Sequence, residues 1–95
     1  MRLRARTDSN QEAIASALEK CGAKVERKLA RLGFGIPDLL CWYDHHWTLL
    51  EIKMPGEKLT PAEVKWHEKF PGAKVVSSID EAFQAVGIAI RKEIK

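Results

Sequence analysis

The stretch Gly33-Phe34-Gly35-Ile36-Pro37-Asp38-Leu39-Leu40-Cys41-Trp42-Tyr43-Asp44-His45-His46-Trp47-Thr48-Leu49-Leu50-Glu51-Ile52-Lys53 decides the fold. Two apolar and aromatic runs, 38–43 and 47–53, flank a polar break at Asp44 to His46, which predicts an antiparallel hairpin. With an even turn centred on Asp44 and His45, Asp38 falls directly opposite Glu51. Side chains alternate along a strand, so Glu51 and Lys53 share a face with Asp38 while Ile52 points to the other. Like charges placed opposite one another disfavour pairing. At an effective dielectric near 20, two carboxylates about 5 Å apart repel by roughly 3 kcal/mol. A divalent cation between them removes that repulsion. Mg²⁺ suits the position, since it takes one or two carboxylates, keeps several waters and accepts phosphate oxygens. Lys53, beside both acids, is placed to hold or polarise one of those waters.

Pro37-Asp38, a gap of twelve residues, then Glu51-Ile52-Lys53 resembles the PD-(D/E)XK nuclease motif. The continuation through Met54-Pro55, Leu59-Thr60 and Trp66 is similar to the virus-type replication-repair nuclease (VRR-NUC) branch, over about Thr7 to Val86. This resemblance implies an α/β fold with the restriction-endonuclease-like core, αβββαβ and a further helix, its central mixed sheet flanked by helices. It implies a Mg²⁺- or Mn²⁺-dependent endodeoxyribonuclease. Asp38 and Glu51 match the metal ligands, with the Ile52 backbone carbonyl and Glu12 as further ligands, and Lys53 matches the residue that orients or activates the attacking water. Stand-alone relatives resemble Holliday junction resolvases of phage or prophage origin, so branched or four-way DNA and a symmetric homodimer with two active sites are expected. Two rival readings share the fold: a DNA-binding module without catalysis, and a sequence-specific restriction-type endonuclease. In one position the chain departs from its relatives, which usually place glutamine three residues before the Trp. Here Glu63 stands instead, and is read as a helix cap in preference to an extra acid at the metal.

Ninety-five residues make one domain, 1–95, with one modest core. A hydrophobic fraction of 45% with 31% charged residues excludes a disordered or membrane-spanning chain. Met1 to Arg6 lacks the apolar core of a signal peptide, so a cytoplasmic protein of a bacterial host or phage-infected cell is expected. Cys21 and Cys41 lack paired zinc-ligand spacing and are read as buried thiols. A formal charge of +3 is mild. Gathering Glu12, Asp38 and Glu51 at one site nevertheless leaves a basic remainder to meet a polyanion.

Residues 1–6 alternate Arg with other residues and read as a mobile basic arm, with Arg4 and Arg6 as phosphate contacts. Ser9-Asn10-Gln11-Glu12 fits a capping box, followed by Ile14, Ala17, Leu18 and Cys21 at helical spacing until Gly22. Lys24 to Ala30 reads as a first strand. Arg31 to Gly35 reads as a loop in which Gly33 and Gly35 serve either a connector or a close approach to phosphate, with Arg31 a further phosphate contact. Pro37 favours extended geometry at Ile36 and so leads into the strand bearing Asp38. The hairpin strands are apolar on both faces, Leu39, Cys41, Leu50 and Ile52 on one, Leu40, Trp42, Trp47 and Leu49 on the other, which predicts helices covering both. Trp42 and Trp47 are expected to pair across the strands, as packing or a dimer contact. His45 and His46 read as a solvated turn.

Met54 to Leu59 is a polar loop in which Lys58 is a phosphate contact. Thr60-Pro61-Ala62-Glu63 opens a helix with a buried stripe of Val64, Trp66, His67 and Phe70, ended by Pro71-Gly72. Ala73 to Ser77 is a short strand, and Ser78-Ile79-Asp80-Glu81 opens a last helix that Gly87 ends.

Overall fold

The hairpin forms in the expected register in a computed structural model, which describes residues 2–89, with side chains from Asn10 onward. Strands β2 (Leu39–Tyr43) and β3 (His46–Ile52) pair antiparallel from Leu39↔Leu50 to Tyr43↔His46. Asp44 and His45 carry positive φ, 51° and 66°, the backbone of a two-residue turn whose twist matches that of the flanking strands. His46 is less free than a solvated turn implies, because its Nε2 lies 2.9 Å from the Val86 carbonyl oxygen and fastens the hairpin tip to the last helix.

Strand β1 (Lys24–Glu26) adds antiparallel to β2, and β4 (Lys74–Val76) adds parallel to β3, giving a four-stranded mixed sheet in the order β1-β2-β3-β4. With helices α1 (Arg2–Lys20), α2 (Pro61–Lys69) and α3 (Ile79–Val86), the chain is an α/β protein of the expected element order. Thr60 makes the full capping box with Glu63, and Ser78 accepts the Glu81 amide. At Gly87, φ of 98° ends α3 in the left-handed region.

Three expected boundaries are corrected. First, α1 starts at Arg2, so residues 2–6 belong to a helix rather than a loose arm, and no helix opens at Ser9. Nothing between Arg2 and Lys20 is Gly or Pro, and Arg and Ala favour helix. Second, β1 stops at Glu26 and a 3₁₀ turn, Leu29–Leu32, replaces the rest of the expected strand. Its register with β2 would set Leu29 opposite Pro37, which has no N–H for the ladder. Third, Cys21 is exposed, because the helix closes at Lys20 and Cys21-Gly22 form the turn that follows.

One face of the sheet carries the core. Ile14 and Leu18 of α1 and Ala82 and Val86 of α3 close over Leu39, Cys41, Leu50, Ile52 and Val76. Full burial of each large aliphatic side chain there contributes roughly 1.5–3 kcal/mol. The same burial pushes the Cys41 thiol up to about 11, which makes it inert.

The other face is not covered as expected. Helix α2 has no fully buried residue, and Val64 and Phe70 of its predicted apolar stripe are exposed. Its nine residues span only about 13 Å. The first turn is seated at the end of the sheet that carries Asp38 and Lys53, as the contacts below show. Beyond it, Leu40, Trp42 and Trp47 line an open groove of about 400 Å³ with Lys24, Val25 and Glu26. The Trp42 and Trp47 rings pair as expected, with centroids 4.8 Å apart, yet Trp47 remains 63% exposed.

Candidate active site

Asp38 immediately precedes β2, and its Oδ2 accepts the Ile52 amide at 2.8 Å. That bond carries the hairpin register one residue past Leu39↔Leu50 and sets Asp38 across from Glu51. Buried Pro37 directs the chain into this position. Glu51 projects from the middle of the sheet and is 2% exposed, an uncommon setting for a carboxyl. Its Oε1 is buried with no hydrogen-bond partner.

Lys53, one residue past β3, is 7% exposed. Its amide donates to the Val76 carbonyl oxygen, and its Nζ lies 2.8 Å from Glu63 Oε1 and 4.0 Å from Glu51 Oε2. Glu63 Oε1 also accepts the Thr60 amide at 2.8 Å, so a single oxygen both caps α2 and holds the lysine. Seating of α2 depends on Gly35, where φ is +77°. A Cβ there would run into the Ala62 carbonyl oxygen, and would come within 2.5 Å of the Ala62 carbonyl carbon and 2.7 Å of the Glu63 nitrogen. Gly35 therefore serves helix packing, neither a slack connector nor a phosphate cradle.

Electrostatics follow from this burial. Desolvation, then the Asp38 charge and hydrogen bonding to Asp38, push the Glu51 carboxyl up to about 9. Asp38 is also raised, again chiefly by burial, although the Ile52 amide opposes the shift. For Lys53, burial is the largest influence and disfavours the ammonium, but the bond to Glu63 together with the charges of Glu63, Glu51 and Glu57 outweighs it and leaves the lysine above its ordinary value. Glu63 is the converse case: burial would raise it, and Lys53 with the Thr60 amide hold it below the usual range. The protein alone thus keeps a proton on Glu51 at neutral pH and a tight ion pair between Lys53 and Glu63.

Of the expected site residues, Asp38, Glu51 and Lys53 are brought together. Glu12 is held elsewhere. Its carboxylate takes Arg27 Nε at 2.8 Å and Nη2 at 3.1 Å, plus the Ser16 hydroxyl at 2.9 Å, while the same guanidinium also binds Glu19. Arg27 chiefly, then Ser16, lower the Glu12 carboxyl. The side chains of Arg4 and Arg6 lie outside the described residues. Arg31 and Lys58 are exposed, and among the described residues neither is held in an ion pair.

Sequence reasoning missed two partnerships. Glu63 has a sufficient local reading as the cap of α2, and nothing beside it in the sequence signals its grip on Lys53. Arg27, which sequence alone leaves among the basic residues free to meet a polyanion, is held by Glu12 and Glu19. Glu12 and Glu19, two helical turns apart on α1, were the available sign of a basic residue between them.

Among the described residues, no three His, Cys, Asp or Glu side chains are gathered as a metal cluster. Two carboxylates are nonetheless enough for a hard dication that keeps most of its waters. The orphaned buried oxygen of Glu51, beside Asp38, fits such an ion, since ligation would satisfy that oxygen and displace the shared proton. No protein-family model matches the chain, and neither does any curated protein. Among the described residues, no helix is long and apolar enough to cross a membrane.

Proposed function

We propose that this protein is a metal-dependent endonuclease with a PD-(D/E)XK core of the VRR-NUC type, cutting phosphodiester bonds in DNA. The observation that carries the reading is the buried Glu51 carboxyl, one oxygen unpartnered, set against Asp38 across the hairpin. Folding alone does not favour such a pair, because both groups lose hydration and the Asp38 charge raises the cost of ionising Glu51.

Asp38 and Glu51 would hold Mg²⁺ or Mn²⁺, with the Ile52 carbonyl as a third oxygen. The ion would supply Lewis acidity toward the phosphate and lower the pKa of a bound water. Lys53 orients the attacking water and offsets charge building on the phosphate in the transition state. Glu63 keeps that ammonium in place and protonated. Glu12 joins the ligand set only by leaving Arg27.

Branched or four-way DNA is the proposed substrate, and a homodimer the proposed form in a bacterial or phage-infected cytoplasm. The open groove bounded by Trp42 and Trp47 is the face available for a second copy. A sequence-specific restriction-type enzyme is disfavoured, since little chain remains outside the core to read bases. A binding module without catalysis is the second reading, and one observation favours it: the Lys53 ammonium is already committed to Glu63.

One assay separates them. The purified protein is incubated with duplex, flap, splayed and four-way DNA in Mg²⁺, Mn²⁺ or EDTA, beside Asp38→Ala, Glu51→Ala and Lys53→Ala. Cleavage that needs metal and disappears in all three variants, with binding retained, supports the nuclease. A Glu51→Ala protein that cuts as well as wild type ends this reading.

A further inference from the structure

Between the 3₁₀ turn and Asp38 lies a tight reversal of the chain, Gly33 to Ile36, closed by the Ile36 amide donating to the Gly33 carbonyl oxygen at 3.3 Å. Its two central residues are Phe34, with φ of 64°, and Gly35, with φ of 77°. Turns with positive φ at both centres favour Gly, Asn and Asp, because a larger side chain is strained there. An aromatic residue is thus placed against its own backbone preference. Burial does not explain it either. At 87% exposure, Phe34 is the most exposed large apolar side chain among the described residues.

The turn is firmly held. Gly35 abuts Ala62 and Glu63 at the start of α2, and Glu63 grips Lys53 at 2.8 Å. Phe34 is therefore one residue from a point locked onto the acidic site. Chain length alone keeps it within about 14 Å of Asp38. Exposed Lys28 and Arg31 precede it on the same connection. Aromatic rings beside cationic groups are how proteins hold unpaired nucleotides: the ring stacks on a base of any identity and the cations meet the backbone.

We propose that Phe34 is a base-stacking residue, presented beside the Asp38–Glu51 site to seat an unpaired or splayed base of the DNA substrate. This rests on the nuclease reading and narrows it to substrates with single-stranded or branch-point bases. A blunt duplex offers Phe34 only its terminal pairs. Free apolar exposure next to Lys28 and Arg31 also resembles a membrane-surface contact. The tethering of the turn to the acidic site favours nucleic acid.

The test measures binding of the full chain in EDTA, by fluorescence anisotropy, to single-stranded, splayed, four-way and blunt-duplex DNA. Wild type is compared with Phe34→Ala and Phe34→Trp, and a 2-aminopurine at the branch point reports stacking directly. Phe34→Ala is expected to weaken single-stranded and splayed binding by about tenfold and duplex binding by less than about twofold. Phe34→Trp should restore both affinity and the 2-aminopurine response. Because the Phe34 ring is almost fully exposed, Phe34→Ala should melt close to wild type, which excludes unfolding as the cause. Equal loss on every DNA, or no loss, overturns the proposal. So does loss of binding to phosphatidylserine vesicles with DNA affinity unchanged. If wild type binds no DNA, the nuclease reading falls with it. If Glu51→Ala still cuts while Phe34→Ala weakens splayed binding alone, only the catalytic assignment falls.

Discussion

The two ends of one sheet face are inverted with respect to each other. At the Asp38 end, charged side chains are buried: Glu51 and Lys53 are nearly inaccessible beneath α2 and the Gly33–Pro37 connection. At the hairpin-turn end, apolar ones are exposed, with Trp47 and the rim of the groove open to solvent. Folding alone favours the opposite arrangement, since burying charge is costly and burying indole is favourable. Both inversions are maintained on a few neighbouring residues of two strands. Departures from stability, taken together, mark where a molecule meets something outside itself.

The largest expected effect comes from removing the charge at the closed end while keeping its shape. Glu51→Gln should lower cleavage by about a hundredfold to a thousandfold. At pH 8 without metal it should melt higher than wild type, because the amide has no proton to retain. A variant that loses activity and also melts lower would show that Glu51 stabilises the fold.

Next is the seat of α2. Gly35→Ala combines a left-handed backbone with a collision against Ala62, and should cost about 2–3 kcal/mol in chemical denaturation. An unchanged midpoint would mean that the closed end is not closed by this contact.

A smaller effect distinguishes the ends by pH. Glu51 is raised in the folded state, so its contribution to stability is fully present below its unfolded value near 4.5 and is lost as pH rises toward about 9. Asp38 is raised and acts in the same direction. Glu63 is lowered, so its contribution is lost only on acidification below its unfolded value. Stability without metal should therefore decline across pH 5 to 9, by up to about 1.4 kcal/mol per pH unit for each proton retained. Saturating Mg²⁺ should flatten this slope in wild type and leave Glu51→Gln unchanged. A slope in Glu51→Gln as steep as that of wild type would place its source outside Glu51.

The smallest effect on folding is expected at the open end. Trp47→Ser should change unfolding free energy by about 0.5 kcal/mol or less, as for most exposed sites. If a second copy covers the groove, the same change should convert dimer to monomer in light scattering. A large loss of monomer stability would show that the indole belongs to the core.

Much of this was legible from local chemistry. The turn at Asp44-His45, the caps at Thr60 and Ser78 and the stop at Gly87 all depend on residues within a few positions of one another, and the pairing of Asp38 with Glu51 follows from that turn by counting along the two strands. Failures arose where a distant residue decided. β1 ends early where Arg27 is drawn to Glu12 and Glu19 on α1. Helix α2 was given a buried stripe from its own periodicity, yet burial depends on whether a partner surface reaches it. Glu12, a ligand only by the resemblance, is held by Arg27, fifteen residues away. The Lys53–Glu63 pair was invisible because each residue already had a sufficient local reading.

β3 is hydrogen-bonded on both sides, to β2 and to β4, whereas α2 has no fully buried residue. Local opening takes the path with the fewest buried contacts, so backbone amides of α2 should exchange with deuterium long before those of Leu50 to Ile52. The first turn of α2, held by Gly35 and Lys53, should be the last part of that helix to exchange, so the acids stay covered while its later turns fray.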